Sequence, residues 1–418
     1  MYALVDANSF YCSAEQVFRP EWRGKPIIVL SNNDGMVVAA NRQAKEVGVP
    51  KLQPYFKIKA LCERKGVIAL SSNYELYSDL SAKMMQVIGR FSPEQHIYSI
   101  DESFLRFNRC HAMITDFTEY GINIRKAVWK ECRLPVCVGM GSTVTLAKLA
   151  NHAAKKIKSF NGVCVINNDV LRTNILNQLD ASDVWGIGRK LSIKLRSVKV
   201  KTALDLALFS PERARREFSI EVERTIRELN GLSCISWETA RADKQQIFST
   251  RSMGQRITSL DELQQALAKH ASIAAYKARQ QGSVCKVLMC FAANSPYDEK
   301  PSRFKKLHHF AYPTNDTQVM TQVVTQIAKQ LYQPGISYYK IGVGLLELIS
   351  SSHQQLDWLN PKPDDTRLMN TFDKINQKYG NDTLFLAAQG IDQKWGMKRE
   401  LLTPQYTTKW HDVPRIKC

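Results

Sequence analysis

Between Asp243 and Ile349 the hydrophobic pattern changes period in an order that few folds satisfy. It reads strand (247–256), helix (260–281), strand (284–292), strand (304–312), helix (316–333), strand (338–348). That is βαββαβ, the split ferredoxin-like arrangement. The first ~165 residues alternate strands and helices in a different order and read as a separate α/β region. Strands are expected at Tyr2–Val5, Pro26–Leu30, on both sides of Asp101-Glu102, and at Val136–Met140. Helices are expected at Ala39–Val47, Leu76–Phe91, Phe117–Val128 and Thr145–Lys158. From Asp180 to Gly231 no strand pattern remains, and after Ser350 the sequence is polar with no clear period, apart from local order at Thr383–Ala388 and at the end. A chain of 418 residues built this way is an α/β multidomain protein.

Charge narrows the partner. Lys and Arg number 58 against 39 Asp and Glu, a net +19. Surpluses of this size favour polyanions, because each phosphate neutralised releases condensed counterions. The basic residues cluster at Val184–Leu204 and at Lys300–Phe310. No apolar run is long enough to span a membrane, and Asp6 inside the N-terminal apolar stretch argues against a signal peptide. Ten cysteines without a CxxC pair read as reduced cytosolic thiols.

Three Asp-Glu pairs occur. Asp261-Glu262 opens a helix, where acids favour the dipole, and Asp298-Glu299 lies in a Pro-flanked loop and reads as solvated. Asp101-Glu102 interrupts strand sequence on both sides, where two anions are costly unless a cation joins them. Asp6 also ends a strand. If the two strands are neighbours, three carboxylates meet at one sheet edge, a donor set suited to hard divalent cations and in-line phosphoryl transfer. No P-loop or complete dinucleotide fingerprint competes with this reading. Trp185-Gly186-Ile187-Gly188, with Arg189, Lys190 and Lys194, resembles a helix-hairpin-helix whose backbone N–H groups reach a DNA phosphate.

VDANSFYCSAE (5–15), LSNNDG (30–35), AANRQAKEVGV (39–49), SSNYELYSDLS (71–81) and YSIDESF (98–104) together resemble the Y-family translesion DNA polymerases of UmuC type. The resemblance runs to QGIDQKWGMKRELLTPQYTT (389–408). It implies a right-hand polymerase: palm at 1–19 and 76–165, fingers at 20–75, helical thumb at 166–235, βαββαβ little finger at 243–350, and a partner-binding tail at 351–418. The implied activity is error-prone, template-directed primer extension across damaged DNA by two-metal nucleotidyl transfer, within the SOS mutagenic response. A nucleotide cyclase shares such a palm but needs no template, thumb or little finger. A non-catalytic recombination factor would explain the charge but not the carboxylates.

By the same resemblance, two Mg2+ ions would be held by Asp6, Asp101, Glu102 and the Ala7 carbonyl. Phe10 and Tyr11 would lie under the nucleotide sugar, Tyr11 as steric gate. Asn41, Arg42, Lys45 and Lys155 would serve the triphosphate; Arg42 stands where many relatives carry Tyr. DNA would be tracked by Gly186, Gly188, Arg189, Lys190, Lys194, Arg251, Arg256, Lys305 and Lys306. Gln355, Leu356, Trp358 and Leu359 resemble a sliding-clamp-binding peptide. The remaining implied partners are primer-template DNA, deoxynucleoside triphosphates, a processed UmuD-type accessory dimer and a RecA-type recombinase filament.

Overall fold

The computed structural model describes residues 1–108, 110–235, 243–352 and 364–414, leaving aside the side chain of His111. The chain forms two compact units, Met1–Thr239 with Glu400–Cys418, and Ala240–Arg399.

In the first unit, β1 (Tyr2–Ala7) is almost wholly buried and leads through Ser9 into α1 (Phe10–Val17). Ser9 adopts the left-handed conformation (φ 46°), which turns the chain sharply after the strand. Next come β2 (Ile27–Leu30), β3 (Val37–Ala40), α2 (Arg42–Glu46), α3 (Tyr55–Arg64) and β4 (Ile68–Ser71). These strands make a separate three-stranded sheet, β3-β2-β4, with β4 parallel to β2. The helix expected from Ala39 therefore starts late. Ala39 and Ala40 pair with Val29 and Ile28, and Asn41 caps α2 by accepting from the Ala44 N–H.

The chain returns through α4 (Tyr74–Gly89), β5 (Glu94–Ile97), β6 (Glu102–Arg106), α5 (Phe117–Cys132), β7 (Val136–Gly141), α6 (Val144–Lys156) and β8 (Val163–Val165). The five-stranded sheet runs β5-β6-β1-β7-β8. Helix α6 lies close on it because Gly139 has no side chain: a Cβ there would run into the α6 backbone at Ala147 and Asn151. Asn151, buried, donates to the carbonyls of Leu4 (3.1 Å) and Cys137 (2.8 Å) and staples the helix down. A helical subdomain follows: α7 (Asp169–Gln178), α8 (Arg189–Ser197), α9 (Ala203–Leu208), α10 (Pro211–Glu217) and α11 (Ile220–Leu229). Its strandless sequence is borne out.

The second unit is β9 (Ile247–Ile257), α12 (Leu260–Gln280), β10 (Ser283–Ala293), β11 (Arg303–Thr314), α13 (Thr317–Leu331) and β12 (Tyr338–Ser350). The βαββαβ order is as read, in an antiparallel sheet β11-β10-β12-β9. The stretch after Ser350 departs from expectation, because α14 (Thr366–Tyr379) forms there. Met369 and Phe372 are buried, and Asp373 takes a two-pronged grip from Arg279 of α12 (2.8 Å each). The segment read as a single tail is thus divided: 364–399 belongs to the second unit and 400–414 to the first.

Candidate active site

The five-stranded sheet brings the carboxylates together as its neighbouring strands require. Strand β1 pairs antiparallel with β6, and Asp6 stands directly opposite Glu102. Asp101 lies in the link from β5 to β6, where its carbonyl accepts from the Ala7 N–H (3.0 Å). The pair therefore sits at a hairpin connection and at a sheet edge at once. Ser99 organises the link. Its hydroxyl donates to Asp101 Oδ1 (2.6 Å) and accepts from the Glu102 N–H (3.1 Å).

Two lysines of α6 neutralise this edge. Lys155 Nζ meets Asp6 Oδ2 at 2.6 Å, and Lys148 Nζ reaches both oxygens of Glu102 at 2.9 and 3.0 Å. Lys148 also rests over the rings of Tyr98 (4.5 Å) and Trp185 (5.3 Å), so the edge is tied to the glycine hairpin. Burial pushes the Asp6 carboxyl up to about 6; Lys155 opposes this, while Glu102 and Asp101 add to it. Ser99 and Lys148 escaped the sequence reading. Lys148 carried a signal, standing seven residues before Lys155 and so on the same helical face.

The donor set suits a hard cation in kind: hard oxygens, mutually repelling, each of two now satisfied by an ammonium group. Among the described residues, however, no three His, Cys, Asp or Glu side chains are already gathered as a closed metal cage. A cation entering here would take over from the lysines.

Tyr11 lies beside the carboxylates. Its ring stacks on Tyr77 (4.5 Å, 16°) and meets Tyr74 edge-on (6.3 Å, 85°). Burial raises its phenol above the ordinary range, with Tyr74 and then Asp101 adding to it. Phe10 is buried in the core at 3% exposure, whereas Tyr11 is half-buried. Of the two aromatics, only Tyr11 presents a surface to a ligand.

The three-stranded sheet presents cations unevenly. Lys45 is pushed down, first by burial, then by Lys51 and Lys155, so like charges converge. Lys51 was not foreseen. Arg42 is exposed and paired with Glu46 (2.7 Å). Asn41 differs from expectation: its buried amide accepts from Ile27 N–H (3.0 Å) and Ala44 N–H (2.9 Å) and donates to the Lys25 carbonyl (2.7 Å). That amide holds the fold rather than waiting for a ligand.

The expected DNA contacts divide likewise. Gly186 has φ +90°, the left-handed turn that only glycine takes cheaply, and Gly188 precedes α8. Arg189, Lys190 and Lys194 are exposed on α8, as is Arg251 on β9. Asp298 is not simply solvated. It forms a two-pronged pair with Arg256 (2.6 and 2.7 Å), which occupies that guanidinium. Lys305 and Lys306 are exposed on β11 but point to opposite faces. Lys306 stands opposite buried Cys290 on the face covered by α12 and α13, and Lys305 opposite Phe291 on the other. Gln355, Leu356, Trp358 and Leu359 lie outside the described residues. Among the described residues no helix is long and apolar enough to cross a membrane.

Residues 5–152 match the impB/mucB/samB family, and 244–358 match that family's C-terminal domain. Residues 366–416 match a domain of unknown function, DUF4113. The chain is 40% identical to Protein UmuC of Salmonella typhimurium over the whole of both. It is 36% identical to Protein MucB of Escherichia coli over 99% of each. Similarity extends to DNA polymerase IV of Pelotomaculum thermopropionicum, 24% identical over 92% of this chain and 94% of that one. Among solved structures, a Y-family DNA polymerase chimera of Dbh and Dpo4 matches with a TM-score of 0.62 at 18% identity, over 84% of this chain and 99% of the other. The insertion ternary complex of Dbh DNA polymerase matches with a TM-score of 0.52 at 20% identity over the same shares.

Proposed function

The chain belongs to the impB/mucB/samB family of UmuC-type, Y-family DNA-directed DNA polymerases, and from that premise we propose that the carboxylate edge of its five-stranded sheet is the site of translesion nucleotidyl transfer. The observation that carries this is Asp6 opposite Glu102, with Asp101 in the adjoining link and Tyr11 alongside. Asp6, Asp101, Glu102 and the Ala7 carbonyl would hold hard divalent cations, two Mg2+ by the resemblance to the family. When bound, the ions would supply activation of the primer hydroxyl and neutralisation of the triphosphate. Lys155, Lys45 and Arg42, with Lys51 beside them, bind the triphosphate; release of Lys155 from Asp6 frees it for this role. Tyr11 blocks a ribose 2′-OH, and Phe10 backs it from the core. The five-stranded sheet acts as palm (1–19, 76–165), the three-stranded sheet as fingers (20–75), the helical region as thumb (166–235) and the second unit as little finger (243–350).

Primer-template DNA follows the thumb hairpin at Gly186 and Gly188, the cations of α8, and Arg251 and Lys305 of the little finger. The peptide at 355–359 docks on a sliding clamp. A processed UmuD-type dimer and a RecA-type filament complete an SOS mutagenic complex at the bacterial nucleoid. Primer extension with and without template DNA tests the central claim. Incorporation that follows the template supports it; template-independent turnover of a nucleoside triphosphate would place the site among cyclases instead.

A further inference from the structure

The C-terminal segment re-enters the first unit at the two places where the chain crosses between its two sheets. One crossing follows α1, at Phe18-Arg19. The other lies between the end of β4 at Ser71 and Asn73, the cap of α4. Leu401 exchanges backbone hydrogen-bonding with Ser71: the Ser71 N–H donates to the Leu401 carbonyl (3.0 Å), and the Leu401 N–H donates to Ser71 Oγ (2.9 Å). The Asn73 amide is wholly buried and donates to the Thr403 carbonyl (3.2 Å), the Thr403 hydroxyl (3.0 Å) and the Pro404 carbonyl (3.2 Å). At the other crossing, Tyr406 stacks on Phe18 (4.8 Å, 18°) and accepts from Arg19 Nε (2.9 Å). Thr403 and Tyr406 are 7% and 8% exposed, so this is packed structure, not a surface strand.

The same segment touches what stands behind Tyr11. Tyr77, on which Tyr11 stacks, donates its hydroxyl to Glu15 Oε1 (2.7 Å). Glu15 lies one turn after Tyr11 on α1 and is wholly buried. Burial raises its carboxyl above the usual range, and the hydroxyls of Tyr77 and Thr403 partly oppose this. Asn73, which Thr403 holds, supports the same residue through the backbone: its carbonyl accepts from the Tyr77 N–H (3.0 Å). Tyr11, Tyr77, Asn73 and Thr403 thus form one connected train of ring stacking and hydrogen bonds, with Glu15 held on the Tyr77 hydroxyl.

We propose that residues 400–406 are a positioning element of the nucleotide site, with Thr403 and Tyr406 as its positioning residues. They fasten both crossings between the sheets and brace the Tyr77 ring on which Tyr11 lies. Lysines 45 and 51 stand on one sheet's side of the crossings, and Asp6, Asp101 and Lys155 on the other. Their separation, which a triphosphate reads, is set at these crossings. The sugar-selecting half of the proposal rests on Tyr11 acting as gate; the nucleotide-binding half does not.

The test compares Thr403→Val, Thr403→Ser, Tyr406→Phe and Tyr11→Ala as full-length proteins in single-nucleotide incorporation with deoxy- and ribonucleotides. Thr403→Val keeps the shape and removes the hydroxyl. It should raise the KM for the deoxynucleotide and lower sugar discrimination, each roughly tenfold, as small misplacements of binding groups do. Thr403→Ser should restore both. Tyr406→Phe, which loses only the Arg19 bond, should raise KM and leave discrimination near wild type. DNA affinity and its salt dependence should be unchanged throughout. If Tyr11→Ala leaves discrimination intact, the gate reading falls, and the KM effect of Thr403→Val still decides the proposal. If Thr403→Val and Tyr406→Phe change thermal stability alone, with KM and discrimination at wild-type values, the segment is merely structural and the proposal is overturned. Should Thr403→Val fail to fold, Tyr406→Phe decides by the same criterion.

Discussion

The two units bury different things. The first puts acids inside: Glu15 and Glu228 have no exposed surface, and Asp6 is nearly covered. Partners offset part of the cost of that burial. Glu228, for instance, accepts from the N–H groups of Thr145 (3.1 Å), Cys234 (2.7 Å) and Ile235 (3.1 Å). The second unit fills its core with small and branched apolar residues. Ala266, Ala271, Ala274, Ala275 and Ala278 let α12 lie flat on the sheet. The second unit buries acids too, but Asp316 (2% exposed) is consumed as the cap of α13 and Asp373 by its pair with Arg279. What sets the first unit apart is that Asp6, Asp101 and Glu102 converge at one sheet edge, and this marks where chemistry, rather than packing, set the sequence.

The sharpest break in this comparison is Asp101→Asn. It keeps shape and the Ser99 contact in outline but removes one anion from the edge. Incorporation should fall on the order of 10²-fold or more, while the unfolding midpoint stays near wild type. An unchanged extension rate would move the active site elsewhere.

Glycines test the packing side of the contrast. In the first unit a Cβ at Gly139 meets α6 backbone, whereas in the second a Cβ at Gly344 meets the half-exposed Phe248 ring. Backbone cannot step aside; a surface ring can. Gly139→Ala should cost about 3 kcal/mol or leave the protein unfolded, and Gly344→Ala about 1 kcal/mol or less. Urea unfolding of the two variants measures the difference. Equal losses would mean that α6 can lift off the sheet cheaply.

This contrast also explains what could be read in advance. The second unit's six elements were legible to within a few residues, because a two-layer sheet imposes clean periods on uninterrupted sequence. Helix α14 was not, although Leu368, Met369 and Phe372 share the right spacing. Its decisive tie is Asp373 to Arg279, a partner far off in the chain. In the first unit Asp6, Asp101 and Glu102 were legible as carboxylates interrupting strands. Their lysine partners and the strap from Thr403 depend on tertiary placement that no local pattern carries. Asn41 shows the reverse failure: a residue type suited to a ligand is consumed by three bonds of the fold.

Among the titratable groups buried in the second unit, His270 is 4% exposed. His270 shares a hydrogen bond with Ser249 (2.8 Å), and its Nε2 is unpartnered. Burial pulls it down to about 4, with Arg251, Lys269 and Lys277 adding to the effect. Between pH 6.5 and 4 the unfolded chain takes up a proton that the folded one refuses. Stability is therefore full above the unfolded value and is lost as pH falls. From pH 7 to 5.5 this unit should lose about 1 kcal/mol, and His270→Leu should remove that dependence. Hydrogen exchange of the β9–β12 amides at the two pH values reads it. A slope that persists in the variant would assign the effect to other groups.

The smallest effect separates two lysines that are neighbours in sequence. Lys305 lies on the sheet face free of helices, together with Arg303, while Lys306 lies on the helix-covered face at the edge of β11. A duplex tracked by the open face meets the first and not the second. Lys305→Ala should therefore lower the log–log salt slope of DNA binding by about 0.9, and Lys306→Ala should leave it unchanged. Arg256→Ala should also leave it unchanged, because Asp298 already neutralises that guanidinium. In the first unit, Arg189, Lys190 and Lys194 have no such division, and each removal should count. Fluorescence anisotropy at several salt concentrations gives the slopes directly. If Lys306→Ala lowers the slope and Lys305→Ala does not, DNA runs along the strand edge, and the open face of the second unit is free for another partner.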